Sequence, residues 1–90
     1  MREIFQQHQF KKDIKKIRKS GRYPLNELLA ITEKLANDSP LPPQNFDHAL
    51  TGQWKDFHEC HIRPDWLLIY KVEPGKLILV RSGSHSELFG

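Results

Sequence analysis

The 90-residue sequence has a single cysteine, Cys60, and this scarcity excludes a disulfide within the chain. A chain without disulfides fits a reducing compartment such as the cytoplasm. No apolar run approaches the roughly 18 residues that a membrane helix requires. The N-terminal segment MREIFQQHQF also lacks the apolar core of a signal peptide. We therefore expect a cytoplasmic protein that has no membrane partner.

Hydrophobic residues make up 38% of the sequence and charged residues 28%, proportions typical of a globular protein rather than a disordered one. A chain of this length is the size of one domain, and such a domain buries roughly 60% of its unfolded surface or somewhat more. We therefore treat residues 1–90 as a single domain.

Positive charge is concentrated near the N-terminus. Residues 1–30 carry eight Lys or Arg against three Asp or Glu, whereas the remainder carries six against eight. Phe10, Ile14 and Ile17 recur at helical spacing, which predicts one apolar face and several basic ones. This basic run is either a solvated helix face or a surface that binds the phosphates of RNA. Its members are Lys11, Lys12, Lys15, Lys16, Arg18 and Lys19.

Two helices followed by three strands are predicted. Ser20-Gly21 ends the first helix and Pro24 begins the second, while three prolines in DSPLPPQNFDH predict an irregular loop. The segments WKDFHECHI, WLLIYKV and KLILVRS read as strands, and EIF near the N-terminus adds a fourth. The predicted order is β-α-α-β-β-β, an α+β fold whose N-terminal helix pair packs on one face of a mostly antiparallel sheet.

Polar residues lie at the strand ends. If Arg63-Pro64 and Pro74-Gly75 are two-residue turns, His61 pairs with Trp66 and Arg81 with Leu68. Strand alternation then places His61 and Arg81 on one face of the sheet. Asp65 begins the middle strand and His85 follows the last one, at the same edge. The pattern predicts two imidazoles, a carboxylate and a guanidinium close together.

This set of groups suits the cleavage of RNA. Two histidines can act as base and acid near neutral pH, and an arginine stabilises charge that builds on a phosphoryl group. The 2′-hydroxyl of RNA is itself the nucleophile, so the reaction needs no metal and no cofactor. The simpler alternatives are histidines on an ordinary surface and an ion pair between Arg81 and Asp65.

Three motifs in register carry a resemblance to a known family. They are DHALTGQWK (Asp47 to Lys55), ECHIRPDWLLIY (Glu59 to Tyr70) and RSGSHSELF (Arg81 to Phe89). They resemble the YafQ branch of the RelE superfamily. The resemblance implies a RelE-like domain and a type II toxin, a ribosome-dependent endoribonuclease that cuts messenger RNA in the ribosomal decoding site. It also implies a cognate antitoxin as partner, in a toxin–antitoxin hetero-oligomer, and inhibition of translation.

The same resemblance implies an active-site set of His48, His61, Asp65, Arg81, His85 and Phe89. Trp66 lies beside these residues, and we group it with the basic run as an RNA-contacting residue. We expect His85 to be the general acid and either His61 or His48 the general base. Arg81 is expected to hold the phosphate oxygens and Phe89 to stack on a base. Asp65 either orients a histidine or transfers a proton itself.

Other interpretations of these residues remain. His58, Cys60, His61 and Asp65 are possible zinc ligands, but strand alternation turns His61 away from His58 and Cys60. A second alternative is an RNA-binding or antitoxin-binding module of the same fold without catalytic activity, and a third is an inactivated toxin homologue. His58 has no expected role. Trp54, Leu68, Tyr70 and Leu79 are expected in the core because they lie in apolar strands.

Overall fold

The computed structural model describes residues 1–90. Strand β1 (Glu3–Gln6) is followed by helices α1 (His8–Ser20) and α2 (Leu25–Ala36). After a loop come β2 (His48–Ala49), β3 (His58–Arg63), β4 (Trp66–Glu73) and β5 (Lys76–Gly83), and α3 (His85–Phe89) closes the chain. Short 3-10 turns occupy Pro43–Asn45 and Gly52–Trp54. No helix is both long enough and apolar enough to cross a membrane.

The five strands form one sheet in the order β1-β5-β4-β3-β2. β1 runs parallel to β5, and the other neighbours are antiparallel. The predicted α+β class and the order of the two helices and the four longer strands are confirmed. β2 and α3 were not predicted, because segments of two and five residues are too short to show a periodic pattern.

The two N-terminal helices cover one face of the sheet. Gly21 ends α1 with a φ of 67°, the left-handed conformation in which glycine is favoured, and its N–H donates to the carbonyl of Ile17 at 3.1 Å. The side chains of the basic run are all exposed, whereas Phe10 and Ile17 are buried. The helices and the sheet share a core of twelve buried residues: Phe10, Ile17, Leu28, Ile31, Leu35, Ala36, Cys60, Trp66, Leu68, Tyr70, Leu77 and Leu79.

The core expectation is confirmed for Leu68, Tyr70 and Leu79 and is wrong for Trp54. Trp54 is only half-buried, because residues 52–57 form turns instead of the first part of a strand. The N–H of Phe57 donates to the carbonyl of Trp54 at 2.9 Å, a bond that closes a turn. The predicted strand therefore begins four residues late, at His58.

One predicted strand turn is confirmed and the other is wrong. Glu73 pairs with Lys76, so Pro74-Gly75 is the expected two-residue turn. Arg63 pairs with Trp66, which makes Pro64-Asp65 the turn between β3 and β4 rather than Arg63-Pro64. Asp65 therefore lies in a turn and not in a strand.

Two β-bulges correct the predicted pairing of the site residues. His61 pairs with Leu67 rather than with Trp66, because the register shifts between His61 and Arg63. Arg81 pairs with Ile69 rather than with Leu68, because the register shifts between Ile69 and Tyr70. Leu67 and Ile69 are two residues apart on one strand and share a face. The register therefore keeps His61 and Arg81 on the same side of the sheet.

Candidate active site

A buried carboxylate lies between two of the histidines. The short strand β2 sets His48 opposite Glu59 on β3. Glu59 is only 6% exposed, and its Oε2 lies 3.1 Å from Nε2 of His48 and 3.8 Å from Nε2 of His61. Sequence reasoning missed Glu59, although it lies two residues before His61 in one strand and therefore shares its face.

The two ring nitrogens of His48 both have oxygen acceptors as neighbours. Nδ1 lies 2.8 Å from the carbonyl oxygen of Phe46, and Nε2 faces Glu59. A carbonyl and a carboxylate can only accept hydrogen bonds. Nδ1 of His48 therefore carries a hydrogen, and Nε2 faces the Glu59 carboxylate. His61 is not committed in this way, because its Nε2 lies beyond hydrogen-bond distance of Glu59.

Asp65 holds His85 by two contacts. Oδ1 of Asp65 accepts the backbone N–H of His85 at 3.1 Å and lies 2.8 Å from its Nδ1. Hydrogen bonds from the imidazole and from the backbone N–H of His85 hold the pKa of the Asp65 carboxyl below its ordinary value. Asp65 is therefore ionised near neutral pH, and Nδ1 of His85 carries a hydrogen. Nε2 remains as the ring nitrogen that can exchange a proton with a substrate.

Helix α3 begins at His85 because the residues around it form a capping box. The hydroxyl of Ser84 accepts the N–H of Glu87 at 3.2 Å, and the Glu87 carboxylate accepts the N–H of Ser84 at 2.8 Å. These two bonds fix the start of the helix, and with it the backbone of His85. The ring centroids of His85 and His61 lie 5.6 Å apart.

The turn that carries Asp65 is attached to the helical layer at two points. The hydroxyl of Tyr23 donates to the Asp65 carbonyl at 3.1 Å, and the Tyr23 ring stacks on Trp66 with centroids 4.6 Å apart. Arg63 forms two hydrogen bonds with the Glu27 carboxylate, at 2.7 and 2.8 Å. These contacts hold the β3–β4 turn, and therefore Asp65, against the link between α1 and α2 and against the first turn of α2.

Arg81 is bound to the basic helix rather than to the histidines. Its Nε and Nη2 donate to Asp13 at 2.9 and 3.1 Å, and these bonds raise the pKa of the Arg81 guanidinium. The Asp13 carboxylate, 8% exposed as a residue, also accepts the N–H of Ser82 at 3.1 Å. Sequence reasoning missed Asp13, although its spacing from Phe10 and Ile17 places it on the buried side of α1.

The two aromatic residues expected to contact RNA have different surroundings. Phe89 is 47% exposed and meets Trp54 edge-on, with centroids 6.2 Å apart. Trp66 is completely buried, and its Nε1 donates to the Ser82 hydroxyl at 3.0 Å. The expectation that Trp66 contacts RNA is corrected, since a ring with no exposed surface offers no face to a base. It is a core residue beneath the site.

The structure thus brings together His48, His61, Asp65 and His85, with Glu59 and the exposed ring of Phe46 among them. Arg81 lies on the same side of the sheet, and its hydrogen bonds lead towards α1. One basic-run residue also reaches the site region, because Nζ of Lys16 lies 3.1 Å from the Glu87 carboxylate in α3. Acid–base groups, a guanidinium and a basic helix therefore surround one end of the sheet.

Comparison with known proteins identifies the family. The family described as a bacterial toxin of type II toxin–antitoxin systems, YafQ, matches residues 2–90. The mRNA interferase toxin YafQ of Escherichia coli strain K12 is 39% identical over 90 residues, which cover 99% of this chain and 97% of that protein. This chain belongs to the YafQ toxin family. The resemblance of its three motifs to YafQ toxins is thereby confirmed.

Solved structures extend the likeness to the whole YafQ fold. A chain of the Escherichia coli DinJ–YafQ complex matches with a TM-score of 0.90 and 38% identity, covering all of both chains. A metal-bound toxin from Helicobacter pylori matches with a TM-score of 0.92 and 45% identity, over 99% of this chain and all of that one. The first relative is seen with DinJ and the second with a metal.

A metal is bound in the Helicobacter pylori relative, whereas the side chains of this YafQ-family chain form no comparable ligand group. No group of three or more His, Cys, Asp or Glu side chains is arranged to hold an ion. Of the possible zinc ligands, Cys60 is buried in the core, where burial raises the pKa of its thiol. His58 stacks on Tyr70 with centroids 5.5 Å apart, away from the Glu59 carboxylate that His61 faces. These side chains therefore do not fit a metal site.

Proposed function

We propose that this chain is an mRNA interferase, a ribosome-dependent endoribonuclease that acts as the toxin of a toxin–antitoxin pair. The observation that carries the proposal is the pair of imidazoles of His61 and His85, with centroids 5.6 Å apart and an acidic side chain beside each. The mRNA interferase YafQ of Escherichia coli, at 39% identity over nearly the full length, supports the same activity.

His61 is the general base in this mechanism. It takes the proton of the 2′-hydroxyl while that oxygen forms a bond to phosphorus. His48 is less suited to this step, because both of its ring nitrogens are already engaged by Phe46 and Glu59. Glu59 is a positioning residue that keeps His48 in place, and its negative charge stabilises the imidazolium that forms on His61.

His85 is the general acid. As the bond between phosphorus and the 5′-oxygen breaks, Nε2 of His85 gives that oxygen a proton. Asp65 acts as the orienting carboxylate rather than as a proton carrier, because it is bonded to Nδ1 and remains ionised. The products are a 2′,3′-cyclic phosphate and a free 5′-hydroxyl.

Arg81 stabilises the negative charge that builds on the non-bridging phosphate oxygens. Its guanidinium uses Nε and Nη2 on Asp13, which fixes its plane and leaves its remaining N–H groups for the phosphate. Phe89, nearly half exposed in the same helix as His85, stacks on a base of the message.

The test is to analyse the ends of the cleaved message. Ribosomes programmed with a defined message are incubated with the purified chain, with and without a chelator that leaves ribosomal magnesium in place. We expect 5′-hydroxyl and 2′,3′-cyclic or 3′-phosphate ends under both conditions. Ends that carry a 5′-phosphate, or cleavage that depends on added metal, would contradict the mechanism. Folded protein that binds ribosomes and leaves the message intact would identify the binding-module alternative.

An antitoxin restrains the toxin. A basic surface beside the site histidines attracts an acidic segment that folds on binding. The DinJ–YafQ complex supports a protein partner for this fold. The purified pair should be inactive on programmed ribosomes, and its association should weaken as salt is raised. A pair that cuts the message as fast as the free chain would contradict restraint by masking.

A further inference from the structure

Phe46 has an unusual backbone conformation. Its φ and ψ are 42° and 55°, in the left-handed region that large side chains rarely adopt. Its N–H donates to the carbonyl of Pro43 at 3.0 Å, which closes the 3-10 turn Pro43–Asn45. Its side chain gains little burial in exchange, because the residue is 61% exposed. A strained and exposed aromatic residue points to a function rather than to packing.

The ring of Phe46 lies beside the two histidines on the general-base side of the site. Its centroid is 4.5 Å from that of His48, with the rings tilted by 42°. It is 5.7 Å from the centroid of His61, which it meets edge-on at 80°. Its carbonyl oxygen also contacts Nδ1 of His48. The backbone conformation of Phe46 therefore fixes both the histidine and an open aromatic surface next to it.

We propose that Phe46 stacks on the nucleobase on the 5′ side of the cleaved bond. The proposal rests on the proposed function. The attacking 2′-hydroxyl belongs to the nucleotide 5′ of the bond and must reach His61. The leaving 5′-oxygen belongs to the nucleotide 3′ of the bond and must reach His85. Phe46 adjoins His61, and Phe89 is in the same helix as His85, so the two aromatic residues serve the two sides of the cut.

Stacking is the interaction that this surface offers. A phenylalanine ring has no hydrogen-bonding group, and every nucleobase has a π-face. Phe46 therefore holds the 5′ nucleotide without selecting a base strictly, while its neighbours act on the ribose and phosphate. Two variants separate the ring from the backbone strain. Phe46→Gly removes the ring at a position where glycine is favoured, and Phe46→Trp keeps an aromatic face.

The first measurement is single-turnover cleavage of ribosome-bound message by the full chain. We expect Phe46→Gly to raise the half-saturating concentration roughly 5- to 150-fold, the range that corresponds to losing one base–aromatic stack. The rate at saturation should change little, and Phe46→Trp should restore tight binding. Phe5→Ala is the matched control, because Phe5 is 40% exposed and lies on β1. Phe46→Gly should melt no lower than the parent.

The second measurement assigns the side of the cut. A message with an abasic ribose that keeps its 2′-hydroxyl on the 5′ side should bind the parent and Phe46→Gly equally. An abasic residue on the 3′ side should leave the difference between them intact. If Phe46→Gly matches the parent on the unmodified message, or if the 3′ abasic residue removes the difference, the inference is overturned and the proposed function stands.

A third measurement is independent of cleavage. An uncleavable message carries a 2′-deoxy nucleotide with 2-aminopurine on the 5′ side of the cut, and its fluorescence is followed as the chain binds. We expect quenching by the parent and by Phe46→Trp and much weaker quenching by Phe46→Gly. This result without cleavage of the normal message would sink the proposed nuclease function and support the stacking. Equal quenching by the parent and Phe46→Gly would overturn the inference.

Discussion

At the scale of single residues, the imidazoles of His85 and His61 differ in the carboxylate that lies beside each of them. His85 is attached to Asp65 in an exposed turn, and its side chain is 53% exposed. Glu59, 6% exposed, contacts His48 and lies close to His61. Replacing His85 should therefore reduce the cleavage rate with little loss of stability, whereas replacing the buried Glu59 should reduce both.

His85→Ala should stay folded and lose activity. The exposed ring contributes little packing, so we expect a cost of about 0.5 kcal/mol in unfolding free energy. Loss of a general acid should slow cleavage roughly 10²- to 10⁴-fold. His8→Ala is the control, because His8 is an exposed histidine at the start of α1. Thermal melts and single-turnover cleavage measure the two effects, and undiminished cleavage by His85→Ala would refute the acid assignment.

Asp13→Ala should damage both stability and activity. It leaves the buried N–H of Ser82 without an acceptor and Arg81 without its ion-pair partner, so we expect a cost of about 1–3 kcal/mol in unfolding free energy. Cleavage should fall because Arg81 is no longer held. Asp13→Asn keeps one acceptor oxygen and should melt closer to the parent while cleavage remains impaired. Chemical denaturation and cleavage rates measure both, and normal cleavage by both variants would rule out a positioning role.

Residue types and motifs predicted which polar side chains lie close together, but they did not predict what surrounds each one. His48, His61, Asp65 and His85 were expected together and lie together. Glu59 and Asp13 were missed because acidic residues in a polar or basic run look solvated until the buried face is known. Trp66 was misplaced because closeness to a motif along the chain carries no information about exposure.

At the scale of elements, α3 is the piece that depends most on a few bonds. It has five residues, and its capping box supplies the contacts that begin it. A helix this short is not stable by itself. The position of His85 therefore depends on Ser84 and Glu87 as much as on Asp65.

The contribution of Glu87 should depend on pH. Hydrogen bonding to the backbone of Ser84, reinforced by Lys16, holds the pKa of the Glu87 carboxyl below its ordinary value. A lowered folded-state pKa means that the stabilisation is complete above the ordinary glutamate pKa and is lost as pH falls through the lowered value. Glu87→Gln should therefore melt below the parent at pH 7, and the gap should close in acid. A gap that is the same at every pH would contradict this linkage.

Strand identities were largely predictable, whereas their register was not. The apolar run of β4 and the Pro74-Gly75 turn follow from local composition. The bulges near His61 and Ile69 depend on pairing between strands, which no local pattern records. Trp54 was also mispredicted by its local pattern. The sequence predicts it at the start of a strand, but it lies in a turn and packs against Phe57 and Phe89.

At the scale of the whole molecule, positive charge is concentrated on α1, which has six Lys or Arg and one Asp in a chain of formal net charge +3. Lys12, Lys15 and Lys19 share one exposed stretch of that helix, whereas Lys16 is paired with Glu87. We expect replacement of these three lysines by alanine to weaken ribosome binding and to reduce the slope of log K against log salt by roughly two to three. Lys34→Ala in α2 is the control. Binding measured from low to physiological salt decides, and an unchanged slope would place the RNA contact elsewhere.

Strand β5 pairs with β1 on one side and β4 on the other, while β2 holds two residues at the sheet edge and α3 five at the chain end. Amide hydrogens should therefore exchange most slowly in β4 and β5 and much faster in β2 and α3. His48 and His85 belong to the fast-exchanging parts. The arrangement of the histidines can thus come apart by local opening while the rest of the domain remains folded. On heating, cleavage should decline several degrees before the sheet melts, and partners that contact α3 should slow its exchange.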